Sequence, residues 1–391
     1  MKRKVYLNKN VYDATQERLQ YVFSEFEHVL LSFSGGKDSG VLLSLVLDFV
    51  KEHGIKRKFH LFYQDFEAMY SLTTSYVHEM FERSAPYAHL HWMCLPIASP
   101  FTFNSHEGCW YPWDDEKEDQ WVRPMPTDPF IINLKNNYIY TYEYKGDYQK
   151  VSKQMGEYIK EEYGSPAVTL LGLRADESLN RMRAFLERKI KYKDNCWIGR
   201  DQEGVWVASP IYDWSVSDVW YAVSKFGYPY NKIYDRLNQL GFSPKDMRVA
   251  SPFNPWGTAS LYTYRVIEPD LWDKMLRRVD GANFAALYGN TEAMGYGSVR
   301  LPDGHTWKSY ALHLLATLPD SQRTAYTEIA ARRFGDDALS KEHDAFFWKE
   351  FARAIIQRDP SAAEFTKKGM EIKRKKSKEV IQRALNIANG M

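Results

Sequence analysis

The stretch from Val29 to Val50 constrains the fold more than any other. The mainly apolar run Val29-Leu30-Leu31-Ser32-Phe33 precedes Ser34-Gly35-Gly36-Lys37-Asp38-Ser39, and Gly40-Val41-Leu42-Leu43-Ser44-Leu45-Val46-Leu47-Asp48-Phe49-Val50 follows. The last run is too long for a strand and apolar on nearly every side, so it reads as a helix buried against a sheet. The order is strand, glycine turn, helix N-terminus. Paired glycines let the backbone turn with its N–H groups exposed, and those donors join the positive end of the helix dipole in a cradle for phosphate oxygens. Lys37 adds a full charge, and Ser34 and Ser39 add hydroxyl donors. A Walker loop needs glycine at position 31 and Ser or Thr at position 38; this chain has Leu31 and Asp38, which excludes that class.

The flanking sequence extends the alternation. Thr15, Leu19, Val22, Phe23 and Phe26 fall at helical spacing and predict a helix over 11–26. Phe59 to Tyr63 predicts a second strand ending at Gln64-Asp65, a polar helix follows over 71–83, and His89 to Leu95 predicts a third strand. Such alternation predicts an α/β fold, a parallel sheet with helices on both faces and ligands at the carboxyl ends of its strands. Asp65 lies at such an end. It is a candidate to bind ribose, metal or phosphate-linked groups, and a role as helix N-cap or turn residue is equally open. Pro166 to Leu171 resumes the sheet and runs into Gly172-Leu173-Arg174-Ala175-Asp176-Glu177-Ser178. Arg174 is thereby offered to phosphate or sulfate at the same sheet edge as the loop, with Arg181 and Arg183 as candidate companions. Ser215 and Asp218 form a capping box for a helix that places Val216, Val219, Trp220, Val223 and Phe226 on one face, and Gly227 stops it.

In this order the motifs resemble the ATP pyrophosphatase superfamily. Ser34 to Ser39 matches its SGGKDS pyrophosphate loop (PP-loop), in a form close to that of ATP sulfurylase small subunits and PAPS-reductase-like proteins. Gly172, Arg174 and Glu177 match the G-x-R-x-x-[ES] element. Pro210 to Trp220, with Tyr230, Asn231, Tyr234 and Asp235, resembles the closing element. The resemblance implies an adenine nucleotide alpha hydrolase-like domain over 1–240, binding ATP with Mg²⁺, or a sulfonucleotide such as PAPS, across the carboxyl edge of the sheet. It implies that Ser34, Gly35, Gly36, Lys37, Asp38 and Ser39 hold the β- and γ-phosphates, with Asp38 placing the metal. Asp65, Gly172 and Glu177 would complete the nucleotide site, and Arg174 and Arg181 would position an acceptor oxygen for attack on the α-phosphorus.

True reductases of this kind carry a catalytic cysteine in a Glu-Cys-Gly-Ile-His tail. No cysteine follows Cys196, so thioredoxin-linked reduction of PAPS is not expected. Arg248 to Phe253, Leu261 to Trp272 and Arg278 to Phe284 are instead similar to cysteine-less IbrA-like proteins, described as co-activators of prophage gene expression. That resemblance implies a ParB/sulfiredoxin-like partner and a setting in bacteria, phages or mobile elements. Three functions follow as expectations: adenylyl transfer with pyrophosphate release, nucleotide-gated regulation of a partner without turnover, and sulfur modification of nucleic acid.

Two regions fall outside the alternation. The 99–164 segment is rich in aromatics and charge, with Cys109 to Asp115, Trp121-Val122-Arg123 and Tyr138 to Tyr144; base stacking and a small buried core are both open for them. His106, Cys109 and Cys94 include no CxxC pair, which makes a poor zinc set. A length of 391 residues calls for a second domain, assigned to 241–391 and mainly helical, with Phe346, Phe347, Phe351 and Ile355 on one helix face. Its basic run, Lys367, Lys368, Lys373, Arg374, Lys375, Lys376 and Lys378, suits a solvated helix face or phosphate contact with nucleic acid. Uneven cysteine spacing argues against a disulfide framework, no apolar run is long enough to span a membrane, and Val5 to Asn10 lacks the apolar core of a signal peptide; a cytoplasmic location is expected.

Overall fold

The structure is a computed structural model that describes residues 8–100, 109–164, 166–186, 190–200, 205–254, 257, 260–288, 301–356, 362, 365–367 and 370. The chain forms two compact units: Met1–Ser99, Tyr111–Pro252 and Thr263–Arg278 make the first, and Pro100–Trp110, Phe253–Tyr262 and Val279–Met391 the second.

The first unit is built on one sheet. Its strands are β1 (His28–Phe33), β2 (Phe59–Gln64), β3 (Ala88–Met93), β4 (Ile131–Ile132), β5 (Ala167–Leu171), β6 (Ile190–Tyr192), β7 (Asn195–Arg200) and β8 (Trp206–Ala208). They lie in the order β4-β3-β2-β1-β5-β8-β7-β6. All pairs from β4 to β8 are parallel, with Leu30 opposite His60, Val29 opposite Val168 and Val207 opposite Thr169. β7 pairs antiparallel with both β8 and β6, which closes the far edge.

Alternation along the strands feeds two cores. Val29, Leu31 and Phe33 of β1 and Leu61 and Tyr63 of β2 face one cluster; Leu30 and Phe62 face the other. The first cluster is filled by α1 (Val11–Glu25), α2 (Lys37–Glu52), α3 (Ser71–Ser84) and α6 (Val216–Phe226), the second by α4 (Val151–Tyr163); α5 (Leu179–Leu186) and α7 (Ile233–Gln239) complete this part of the chain. Helices thus cover both faces, as the apolar strands require. α2 buries residues on nearly every side, in keeping with its sequence. The capping box of Ser215 and Asp218 starts α6, and Gly227 ends it in the left-handed conformation at φ +65°.

The aromatic segment mostly packs inward. Trp113 and Val122 are each 1% exposed, and the rings of Trp113 and Trp121 meet edge to face at 5.2 Å. Tyr138, Tyr140 and Tyr144 stay exposed. Two further helices, α8 (Tyr262–Ile267) and α9 (Pro269–Arg278), give Thr263–Arg278 to the first unit, beyond the boundary at 240 expected from sequence.

The second unit contains α10 (Ala282–Tyr288), α11 (Trp307–Thr317), α12 (Asp320–Phe334) and α13 (Ala345–Ile356). Leu315, Ile329, Phe347, Phe351, Ile355 and Phe365 are in its core, with Phe346 packed at the margin. Of the basic run only Lys367 is described; Lys368 and residues 373–378 lie outside the described residues, as does His106. Among the described residues no helix is long and apolar enough to cross a membrane, and no group of three His, Cys, Asp or Glu side chains is placed to hold a metal ion.

Candidate functional site

The chain leaves β1 through β2 and β3 to β4, then returns to β5 on the other side of β1. The strand order therefore reverses between β1 and β5, and the carboxyl ends of such a pair open a crevice. The Ser34–Ser39 loop leaves β1 on one side of it, and Gly172 to Arg174 leave β5 on the other.

Two glycines are fixed by crowding. Gly35 has φ +72°, and a Cβ on it would stand 3.0 Å from a methyl of Val77 and 3.1 Å from that of Thr73. A Cβ on Gly172 would stand 2.8 Å from the Ser39 nitrogen and 2.9 Å from its Cα. The residue expected to touch nucleotide thus serves first to let the end of β5 lie against the opening turn of α2.

The loop is braced from inside and held by the closing element. Ser34 and Ser39 hydroxyls lie 2.9 Å apart, and Ser39 Oγ accepts from the Ser34 N–H at 3.2 Å. Asn231, fully buried, donates from Nδ2 to the Gly35 carbonyl at 3.0 Å and to Thr73 Oγ1 at 2.9 Å. The Lys37 N–H donates to Tyr234 Oη at 2.9 Å, and burial raises the Tyr234 phenol well above its ordinary range. Among the described residues the N–H groups of Gly35, Asp38 and Ser39 make no hydrogen bond. Those of Asp38 and Ser39 are orphan donors of a helix start, and that of Gly35 belongs to the turn before it.

Three charges converge at this edge. Asp38 Oδ1 accepts from Arg174 Nε at 2.6 Å, and its Oδ2 lies 3.3 Å from Lys37 Nζ. Lys37 is 7% and Arg174 4% exposed. Lys37 Nζ also donates to the Met247 carbonyl at 3.3 Å, and Arg174 Nη1 to that of Trp214 at 3.4 Å. Asp176 Oδ2 also stands 3.9 Å from Arg174 Nη1, so two cations face two carboxylates beside the positive end of α2.

Other expected site residues have different surroundings. Glu177 accepts from the Arg174 N–H at 3.1 Å through Oε1, and Oε2 lies 3.7 Å from Arg181 Nε. Glu177 fastens the turn that carries Arg174, and Arg181, 47% exposed, is paired with Glu177 rather than placed on the loop beside Arg174. Arg183 faces solvent.

Asp65 does lie at the carboxyl end of β2, but it is fully buried and its oxygens are taken. Arg123 Nη2 donates to both at 2.6 and 2.5 Å, Trp92 Nε1 donates to Oδ2 at 2.8 Å, and the Glu67 N–H donates to Oδ1 at 2.8 Å. With no lone pair left toward solvent, the ribose or metal role expected of it gives way to an internal anchor. Glu67, also fully buried and held at φ +61°, accepts from the N–H groups of Trp113 and Val122 and from Arg278 Nε at 3.3 Å. Burial raises the Glu67 carboxyl and Arg278 opposes that rise. Asn231, Tyr234, Arg123 and Arg278 lay within singled-out stretches of the sequence without being assigned to the site; Glu67 gave no local signal.

Two sequence profiles divide the chain. Residues 28–245 match the phosphoadenosine phosphosulfate reductase domain, which covers the loop, Arg174 and the closing element. The chain belongs to that family. Residues 241–384 match a domain of unknown function, DUF3440. The uncharacterized protein YbdN of Escherichia coli (strain K12) is 30% identical over 329 residues, covering 83% of this chain and 79% of that protein.

Solved structures give weaker likenesses. A phosphoadenylyl-sulfate reductase from Candida auris, in a phosphate complex, is 16% identical, with 63% of this chain and 97% of that one covered at a TM-score of 0.34. An FMN adenylyltransferase from Candida glabrata, with FMN and an ATP analogue, is 13% identical, covering 59% and 64% at 0.34. The U34-tRNA thiolase NcsA from Methanococcus maripaludis is 12% identical, covering 69% and 80% at 0.30. TM-scores this low add nothing to the strand order described above.

Proposed function

We propose that this protein binds ATP along the carboxyl edge of its sheet and cleaves it between the α- and β-phosphates, passing the adenylyl group to an acceptor. One observation carries the reading: Lys37, Asp38 and Arg174, delivered by two different strand ends, converge at the β1/β5 switch point beside the unpaired N–H groups of Asp38 and Ser39. Phosphate oxygens there would meet backbone donors, a helix N-terminus and a lysine. Arg174 Nη2 makes no hydrogen bond among the described residues, which leaves that edge of the guanidinium for an anion.

In the reaction, an acceptor oxygen attacks the α-phosphorus, the bond to the α–β bridging oxygen breaks, and pyrophosphate leaves with its electron pair. No side-chain nucleophile is needed, and stabilisation of the phosphoryl charge is the protein's main task. Asp38, 18% exposed, would be the carboxylate to meet magnesium, but Arg174 and Lys37 already hold its oxygens, so a bound ion would rest chiefly on the nucleotide phosphates that it neutralises. The absence of a cysteine after Cys196 argues against thiol-based reduction of PAPS.

A second reading is a nucleotide-gated regulator acting on a ParB/sulfiredoxin-like partner. It is favoured by the fact that Lys37 and Arg174 are already occupied by Asp38, Met247 and Trp214. Release of pyrophosphate and AMP from ATP, measured for the intact protein and for Lys37→Ala with sulfate, nucleic acid and the partner as additives, separates the two. Release that depends on Lys37 supports turnover. Tight ATP binding with no release under any condition supports the regulator.

A further inference from the structure

The helix behind the phosphate loop has no cap of its own. The residue before α3, Tyr70, makes no side-chain capping bond. The cap comes from far along the chain: Glu268 accepts from the Ser71 N–H at 2.9 and 3.1 Å and from the Ser71 hydroxyl at 2.7 Å. Its carboxylate also stands at the positive end of the helix, where a negative charge is stabilising. Glu268 is held between α8 and α9, and that segment is fastened to the turn before α3 at several points. Tyr264 stacks on Tyr70 with ring centroids 3.7 Å apart, and its Oη donates to the Ala68 carbonyl at 3.2 Å. Thr263 Oγ1 and Tyr70 Oη lie 2.6 Å apart, and Arg278 reaches Glu67.

α3 in turn bears on the loop. Thr73 and Val77 are the two side chains that crowd Gly35, and Thr73 Oγ1 accepts the same Asn231 amide that holds the Gly35 carbonyl. A change in the position of the first turn of α3 is therefore passed to the phosphate loop within one helical turn.

We infer that Thr263–Arg278, which lies downstream of the reductase-family domain, positions the phosphate loop, and that Glu268 does so by capping α3. Glu268 is a positioning residue, since it acts through α3 and Asn231. The inference rests on the proposed function only for its consequence, tighter binding of phosphate groups; the positioning itself is readable without a ligand.

The test compares Glu268→Ala and Glu268→Gln with the intact full-length chain. Amide hydrogen exchange is followed at Lys37 and Gly40, whose N–H groups are held by Tyr234 and by the Gly36 carbonyl. Affinity for inorganic pyrophosphate and for ATP is measured by calorimetry, well below the melting temperature. The expected result is faster exchange at Lys37 and Gly40 in Glu268→Ala and a loss of affinity of about fivefold to tenfold, the effect of losing one helix cap. Glu268→Gln keeps an acceptor for the Ser71 N–H and should stay within about twofold of the parent. A lowered melting temperature with unchanged exchange at Lys37 and Gly40 would show that Glu268 is a structural cap only, and would overturn the inference. Should the intact protein bind neither pyrophosphate nor ATP, the proposed function fails, and the positioning role stands or falls on the exchange at these two amides.

Discussion

A methyl group on residue 172 has no room: it would lie 2.8 Å from the Ser39 nitrogen, against backbone that cannot swing aside. Gly172→Ala is therefore expected to push α2 and its opening loop away from β5, costing about 1–3 kcal/mol in urea unfolding and weakening pyrophosphate binding. Unchanged stability and binding would mean that the β5 edge moves freely and does not set the loop. Lys37, Asp38 and Arg174 were legible in the sequence because each sits within a few residues of a strand end, and the strand-turn-helix pattern announces that geometry locally. Asp65 has the same kind of position but a different fate. Its partner Arg123 lies 58 residues further along, and nothing local shows that a buried guanidinium will reach it. Arg181, too, has a partner other than the loop. It follows the turn that ends at Glu177 by four residues, and its Nε lies 3.7 Å from that carboxylate across the break before α5.

At the scale of elements, the opposite end of the sheet carries a row of histidines. His60 on β2 pairs in register with His89 on β3, and the ring of His60 stacks on those of His89 and His91 at 5.0 and 5.3 Å. His60 and His91 share a hydrogen bond of 3.0 Å, His91 shares another with Tyr138 Oη at 2.6 Å, and His28 and Tyr163 lie alongside. Burial, and then the neighbouring histidines, hold His60 down to about 2, and burial with His89 holds His91 down to about 3. Both are neutral in the folded protein, while in the unfolded chain they take up protons below about pH 6.5. Their contribution to stability is therefore full above that pH and is lost as the pH falls toward 3. Unfolding by urea at pH 7 and pH 5 should show this loss, and a His60→Leu/His91→Leu variant should flatten it. An equal slope in the variant would assign the acid sensitivity to other groups. The row was invisible in sequence because three strands contribute to it, and only the parallel register sets the rings against one another.

At the scale of the whole molecule, the reductase-family profile ends at residue 245, yet the first compact unit continues to Pro252 and takes back Thr263–Arg278. A chain cut after residue 245 would lose Met247, Glu268 and Arg278 and leave Glu67 buried without its guanidinium. Removing one partner of such a pair costs about 3–5 kcal/mol, so the cut chain should lack the cooperative unfolding transition of the full protein, as judged by calorimetry. A sharp transition in the cut chain would show that the family domain is self-sufficient. The α/β architecture was legible because periodicity reports it strand by strand, whereas a boundary set by long-range charge pairs leaves no such trace. The central claim, cleavage of ATP between its α- and β-phosphates, is tested most directly by following label from [α-³²P]ATP and [γ-³²P]ATP in parallel. The account predicts that the α label appears in AMP or an adenylylated acceptor, that the γ label appears in pyrophosphate, and that both are lost in Lys37→Ala. Gamma label released as orthophosphate, with the α label retained in ADP, would contradict it.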